Sequence, residues 1–349
     1  MISLCMIVKN EEGNLKICLD KISQYINEII VVDTGSEDNT KLIARDFTDK
    51  VFDYKWNNDF AAARNFSISK SSNDWILVLD ADELIQEFNI ENVNDFIEKK
   101  ENLIKVGRIK IINFMESVNG YGKYIERVNR LFNKNNFKYE GVIHEQLISV
   151  VGETYKTENV EISSDHIGYT KQILVKTNKL NRNIELLNKA LKKNSRDSYL
   201  YYQLGKSYYM LKMYEIAVVN FEKSLECGVD FKLEYSEDLI ETYGYSLINL
   251  EKYDKALKLE DYLSINNTSD FNFLMGIISM NNSKFSKAVE YFIKATEFYE
   301  CKVEGVNSYL ALYNIGVIYE VLGYKEIANE YYSKCGFYKP ALKRIKNNN

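Results

Sequence analysis

Five consecutive apolar residues, Trp75-Ile76-Leu77-Val78-Leu79, run straight into Asp80-Ala81-Asp82-Glu83. An apolar run without polar alternation is the pattern of a strand buried on both faces, as in the parallel sheets of α/β proteins. Acids at its carboxyl end fall where such open sheets bind their ligands. Two carboxylates one residue apart repel each other there unless a cation or an arginine compensates. Hard oxygen donors of this kind favour Mg²⁺ or Mn²⁺, ions that usually neutralise a phosphate.

The construction occurs a second time upstream, where Glu28-Ile29-Ile30-Val31-Val32 enters Asp33-Thr34-Gly35-Ser36. Between the two lies Asp59-Phe60-Ala61-Ala62-Ala63-Arg64-Asn65, a helix-like segment with one arginine able to reach a phosphate or the acidic cluster. Each residue also has a plainer role open to it. Asp33 suits a turn or helix cap, and Arg64 suits a surface ion pair. Together, two strand-end acids, an arginine and a metal pair suggest nucleoside-diphosphate chemistry.

Four motifs stand in order: Ser3-Leu4-Cys5-Met6-Ile7-Val8-Lys9-Asn10-Glu11-Glu12, Val32-Asp33-Thr34-Gly35-Ser36, Ala63-Arg64-Asn65 and Leu79-Asp80-Ala81-Asp82-Glu83. In this order the chain resembles the family 2 glycosyltransferases, inverting enzymes of the GT-A fold, over a stretch ending near residue 170. The resemblance implies an α/β domain with a mostly parallel, Rossmann-like sheet and a nucleotide-sugar donor, a UDP-sugar above all. It implies that Asp33 binds the donor's base, that Arg64 sits near the nucleotide, and that Asp80 contacts the ribose or metal. By the same likeness Asp82 holds Mn²⁺ or Mg²⁺ on the diphosphate, and Val8, Asn10 and Glu11 wall the donor pocket. Lys9 departs from the pattern, since many relatives carry an aromatic there that stacks on the base. The aspartate-nucleophile phosphatases also place Asp-x-Asp after an apolar strand, but they usually begin with it, whereas here 79 residues precede Asp80.

The chain has only two histidines, His144 and His166. Gly141-Val142-Ile143-His144-Glu145, preceded by Arg130-Leu131-Phe132, is similar to Gly-x-His-Glu and Arg-Leu-Phe segments of related transferases. His166 closes the same region and, by the resemblance, becomes a further metal ligand beside Asp82; a purely structural role competes for both histidines. An inverting transfer needs a base to take the acceptor's proton as it attacks opposite the departing diphosphate. Glu145 is the expected base, with Asp165 and Glu140 as alternatives.

Near Ile167-Gly168-Tyr169-Thr170 the β-branched runs give way to long Leu-, Tyr-, Lys- and Glu-rich helical patterns, so domains are expected at 1–170 and 171–349. Downstream, Gly205, Gly244, Gly276 and Gly316 recur 39, 32 and 40 residues apart in similar helical segments. Each is followed by a second helix with an alanine and a large apolar residue, as in Ala217 and Phe221 or Ala288 and Phe292. This resembles the tetratricopeptide repeat, with a period of about 34 residues, and its uneven spacing predicts insertions. Pro340, the single proline, follows the last unit, and the Lys/Asn-rich tail beyond it is expected to fray.

The balance of charge, −5 from 45 basic and 50 acidic residues, argues against a general nucleic-acid binder. No stretch approaches the roughly 18 apolar residues of a membrane helix, and the N-terminus enters a strand with no basic-then-apolar leader. Five scattered cysteines without paired spacing fit reduced thiols in the cytoplasm. A helical solenoid joined to a transferase suggests that a peptide or protein is held on its concave face while a Ser, Thr or Cys side chain receives sugar. This is similar to bacterial transferases that modify bacteriocin precursors, flagellins or adhesins. The alternative acceptor is a cell-wall or lipid-linked glycan, with the repeats as a docking or homodimerisation module.

Overall fold

The computed structural model describes residues 1–117, 120–152, 154–167 and 173–348. They fall into two compact units, Met1–Glu116 with Lys123–Gln172, and Ser117–Gly122 with Ile173–Asn349. The expected boundary between residues 170 and 171 lies outside the described residues.

The first unit runs β1 (Ile2–Val8), α1 (Leu15–Ile22), β2 (Glu28–Asp33), α2 (Thr40–Arg45), β3 (Val51–Asp53), α3 (Phe60–Ser69), β4 (Trp75–Val78), β5 (Glu83–Phe88) and α4 (Ile90–Glu98). It continues through β6 (Lys105–Ser117), β7 (Gly120–Asn133), β8 (Phe137–Glu140), β9 (Gln146–Ser149) and β10 (Lys156–His166). Eight strands form one sheet in the order β3-β2-β1-β4-β7-β6-β10-β5, and β8 pairs with β9 apart from it. Strands β3, β2, β1 and β4 are parallel, β6 and β10 likewise, whereas β4 with β7 and β10 with β5 run antiparallel.

Strand alternation explains why the apolar runs carry no polar residues. Leu4, Met6, Val8, Leu77 and Leu79 pack on one face against α1, while Cys5, Ile30, Val32, Ile76 and Val78 pack on the other with Ala61 and Ile68 of α3. Strands covered by helices on both sides leave only their ends open. The carboxyl ends of β1, β2 and β4 therefore present Asn10, Asp33 and Asp80 at one rim of the sheet.

The second unit is an all-α helical repeat domain. It comprises α5 (Ile173–Lys193), α6 (Ser198–Met210), α7 (Tyr214–Glu226), α8 (Tyr235–Asn249), α9 (Tyr253–Leu257), α10 (Ser269–Asn281), α11 (Phe285–Ala295), α12 (Tyr309–Val321), α13 (Lys325–Ser333) and α14 (Lys339–Asn348). Helices pack pairwise, α6 on α7, α10 on α11 and α12 on α13. The repeated glycine is the point of closest approach: a Cβ at Gly205, Gly276 or Gly316 would lie 2.5–2.6 Å from the ring of Phe221, Phe292 or Tyr332. The uneven spacing arises in the connections, with long ones at 227–234 and 296–308 and a short α9 in between. Gly276→Ala is expected to lower stability by about 1–3 kcal/mol through overpacking, less the roughly 1 kcal/mol alanine gains in a helix. Phe292→Leu in the same chain should restore part of the loss, which denaturation midpoints of the single and double variants measure.

The tail is a correction to the expected fraying. Pro340 lies in the first turn of α14, where its missing N–H costs nothing. Ala341 is fully buried, and Arg344 donates to the Tyr313 hydroxyl at 2.9 Å and to Glu320 at 3.0 Å. Those contacts hold a helix that composition alone would leave loose.

Glu241 on α8 gives this unit a pH dependence. It is 8% exposed, its Oε1 has no hydrogen-bond partner among the described residues, and Lys302 Nζ stands 3.7 Å from Oε2. Burial outweighs the lysine and, with the charges of Asp270, Asp238 and Glu237, pushes the carboxyl from 4.5 up to about 8. The folded carboxyl keeps its proton where the unfolded one has lost it, so stability falls as pH rises from 4.5 through about 8 and levels beyond. Glu241→Gln is expected to raise Tm by several degrees at pH 8.5 and to change it little at pH 5, read by thermal scans at both.

Candidate active site

At the end of β2, Asp33 turns the chain with one oxygen and leaves the other idle. Its Oδ1 accepts the N–H groups of Gly35 and Ser36, each at 2.9 Å, and Gly35 adopts φ +108, which a glycine tolerates. Its Oδ2 is buried and has no partner among the described residues, at a carboxylate only 2% exposed. A buried acceptor without a donor costs about 1–3 kcal/mol and can be satisfied by an incoming N–H. The turn role and the ligand role thus belong to different oxygens of one side chain.

The β1 end is tied to that turn. Asn10, at φ +55, donates its N–H to Ser36 Oγ and accepts from Glu37 N at 2.8 Å, while Glu11 N donates to Thr40 Oγ1 at 2.7 Å. Val8 has its side chain in the core and offers only its carbonyl, which accepts from Thr34. Lys9 is exposed.

Asp59 starts α3 by accepting from Ala62 N at 2.8 Å, and one turn later the helix delivers Arg64 into the interior, 6% exposed. Arg64 Nε donates to Glu145 Oε1 at 2.6 Å and Nη2 to Asp80 Oδ1 at 2.9 Å, while Nη1 is buried with no partner among the described residues. Burial opposes its charge, and Asp80 and Glu145 more than restore it, so the guanidinium is held well above its ordinary range. Asp80 has a second cation: Arg130 Nη2 lies 3.2 Å from Oδ2 and 2.5 Å from Glu83 Oε1. Glu83 Oε2 in turn accepts the Asp80 N–H at 3.0 Å. Burial pushes the Glu83 carboxyl up against the pull of Arg130, and it pushes the Tyr139 phenol, near both arginines, up to about 12. The compensation Asp80 needs therefore comes from two arginines.

Asp82 faces a different partner. Its Oδ2 is 3.2 Å from His166 Nε2, and His166 Nδ1 is 2.7 Å from Asn113 Oδ1. Burial works against a charged imidazole, but the hydrogen bond and charge of Asp82 outweigh it, with Glu83 and Asp80 adding, so its pKa is raised. Asp82 and His166 are neighbours because the Ile167 N–H bonds the Asp82 carbonyl and β10 lies beside β5. Among the described residues no group of three or more His, Cys, Asp and Glu is placed to hold a metal. A cation here would take Asp82 and His166 and complete its shell with diphosphate oxygens and water.

Of the three candidate bases, Glu145 joins this cluster through Arg64, with a side chain 12% exposed. Glu140 is exposed on β8, and Asp165 precedes His166 on β10, which puts it on the other face of that strand. His144 takes φ +50 in the loop before Glu145. Sequence reasoning assigned no role to Glu83, Arg130, Tyr139 or Asn113, all buried at the cluster. For Glu83, Arg130 and Asn113 the signal was present as charged or amide residues inside strand patterns, at Leu79-Asp80-Ala81-Asp82-Glu83, Arg130-Leu131-Phe132 and Ile111-Ile112-Asn113-Phe114, and Tyr139 gave none.

Residues 3–149, the larger part of the first unit, match the family model described as Glycosyl transferase family 2. A TPR repeat-containing protein of Synechococcus elongatus is 32% identical over 212 residues, 58% of this chain and 51% of the relative. The SPbeta prophage-derived glycosyltransferase SunS of Bacillus subtilis is 29% identical over 231 residues, 63% of this chain and 52% of the relative. The chain thus spans about half the length of these curated relatives. Among solved structures, YrrB, described as a TPR protein with an unusual peptide-binding site, is 27% identical, covering 50% of this chain and 86% of its own at TM-score 0.42.

Proposed function

We propose, with a family 2 glycosyl transferase domain at residues 3–149 as the premise, that this chain moves a sugar with inversion from a nucleotide-sugar, a UDP-sugar, to a Ser, Thr or Cys side chain of a peptide or protein held by the helical repeats. The observation that carries the reading is the pair of neighbouring groups at the sheet rim that also carries Asp33, one in which Arg64 bridges Asp80 and Glu145 and one in which Asp82 meets His166. Asp33 Oδ2 would accept an N–H of the base, and Arg64 Nη1 would meet a phosphate oxygen. A Mn²⁺ or Mg²⁺ between Asp82 and His166 would stabilise the negative charge that gathers on the departing diphosphate. Glu145 is the base: Arg64 fixes its Oε1, and its Oε2 takes the acceptor's proton as the acceptor bonds to the anomeric carbon and the diphosphate leaves with the bonding electrons.

No described helix is long and apolar enough to cross a membrane, and the five cysteines are unpaired, which supports action in the cytoplasm. The repeats supply the acceptor's docking surface, and the division at residues 170 and 171 separates the two tasks. Thermal stabilisation across a panel of nucleotide-sugars, with Mn²⁺, with Mg²⁺ and with chelator, tests donor and metal together. A metal-dependent rise with one UDP-sugar is the expected outcome, and a flat response to the whole panel would sink the reading. Sugar found by mass spectrometry on a glycan acceptor, with peptides untouched, would move the acceptor to the cell-wall or lipid-linked class.

A further inference from the structure

We infer that Asn113 is a positioning residue that fixes the tautomer of His166, keeping the proton on Nδ1 and turning the Nε2 lone pair toward the cation position beside Asp82. The inference rests on His166 as a ligand in the reading above. Asn113 and His166 are paired residues of the parallel strands β6 and β10, so their side chains share one face of the sheet. Asn113 is 3% exposed, and its amide can be oriented in only one way. The Nδ2 group lies 2.7 Å from Glu126 Oε1, and a carboxylate only accepts, so the NH₂ must face Glu126. The carbonyl Oδ1 then faces His166 Nδ1 at 2.7 Å and can only accept a proton from it.

A neutral imidazole has one N–H to give, and among the described residues an acceptor stands beside each of its two nitrogens. Asn113 Oδ1 stands at 2.7 Å from Nδ1, while Asp82 Oδ2 stands at 3.2 Å from Nε2. If Asp82 won, Nε2 would carry the proton and could not ligate. A ligating histidine commonly gives its other N–H to a fixed acceptor, which sets both tautomer and ring orientation. The chain Glu126–Asn113–His166 supplies that acceptor from a neighbouring strand, with no charge placed on the ring's far side.

The test uses the ¹⁵N-labelled full chain without metal, at a pH where the imidazoles are neutral. With two histidines in the protein, the long-range ¹H–¹⁵N spectrum holds two ring systems, and His144→Gln identifies which is His166. The expected wild-type spectrum shows a protonated Nδ1 and a bare Nε2 on His166. Asn113→Leu is expected to shift the proton to Nε2, and Asn113→Asp, which keeps the acceptor, to leave it on Nδ1. A wild-type ring protonated on Nε2 overturns the proposal, and that measurement needs no variant to fold. Mn²⁺ binding with UDP present, followed by electron paramagnetic resonance, should weaken about 10–100-fold in Asn113→Leu. If His166→Gln leaves Mn²⁺ affinity intact, the ligand reading fails, while the ring spectrum still decides whether Asn113 sets the tautomer.

Discussion

Asp82→Asn is expected to abolish the Mn²⁺-dependent part of nucleotide-sugar binding and to lower kcat/KM by about 10²–10³-fold, the size of effect seen when one preorganised stabiliser of transition-state charge is removed. The substitution keeps the side chain's shape and one oxygen but removes the charge that makes it a good ligand for a hard cation. Asp82 is not part of the arginine-bridged cluster around Asp80, so the sheet rim should keep its arrangement. The Asp82 and His166 side chains are 22% and 24% exposed, so losing their contact should cost about 1–3 kcal/mol, the size of one part-buried hydrogen bond to a charged group. Isothermal titration with Mn²⁺ and UDP, beside a denaturation curve, separates the two effects. Metal-dependent affinity equal to wild type would take the cation away from Asp82.

Asp80 cannot stand in for its neighbour, and the reason shows what the sequence made legible. The two apolar runs closing on Asp33 and Asp80 were readable because a strand buried on both faces has no polar alternation, and the sheet order puts both at one rim. The repeat was readable because only glycine fits where Phe221, Phe292 and Tyr332 cross the paired helix. The company each acid keeps was not readable. Arg130 reaches Asp80 from 50 residues away because β7 returns antiparallel beside β4, and β10 lies between β6 and β5, bringing His166 to Asp82 from 84 residues away. Such pairings depend on strand order, which local pattern does not encode. The α14 tail was missed for a related reason: its Lys/Asn composition reads as frayed, and Ala341 and Arg344 hold it through contacts far along the chain.

Loss of the Arg130 guanidinium, as in Arg130→Ala, is expected to destabilise the first unit by about 3–5 kcal/mol, because Glu83 would be left as an uncompensated buried charge. The two side chains are 10% and 6% exposed, too dry for water to replace the partner. Replacing both, as Arg130→Met with Glu83→Leu, removes the charges together and should recover most of the stability, since a buried ion pair often balances near zero against apolar residues of similar volume. Activity should not return with it. Asp80 would lose one of its two cations and the carboxylate that anchors its N–H, so its oxygens would no longer be held where Arg64 alone can fix them. The expected double variant is folded, with a denaturation midpoint near wild type, yet binds donor weakly. An Arg130→Ala midpoint equal to wild type would show that the pair carries no such charge burden, and full donor affinity in the double variant would reduce Arg130 and Glu83 to packing. The pair thus separates what holds the fold from what arms the site, although both rest on the same side chains.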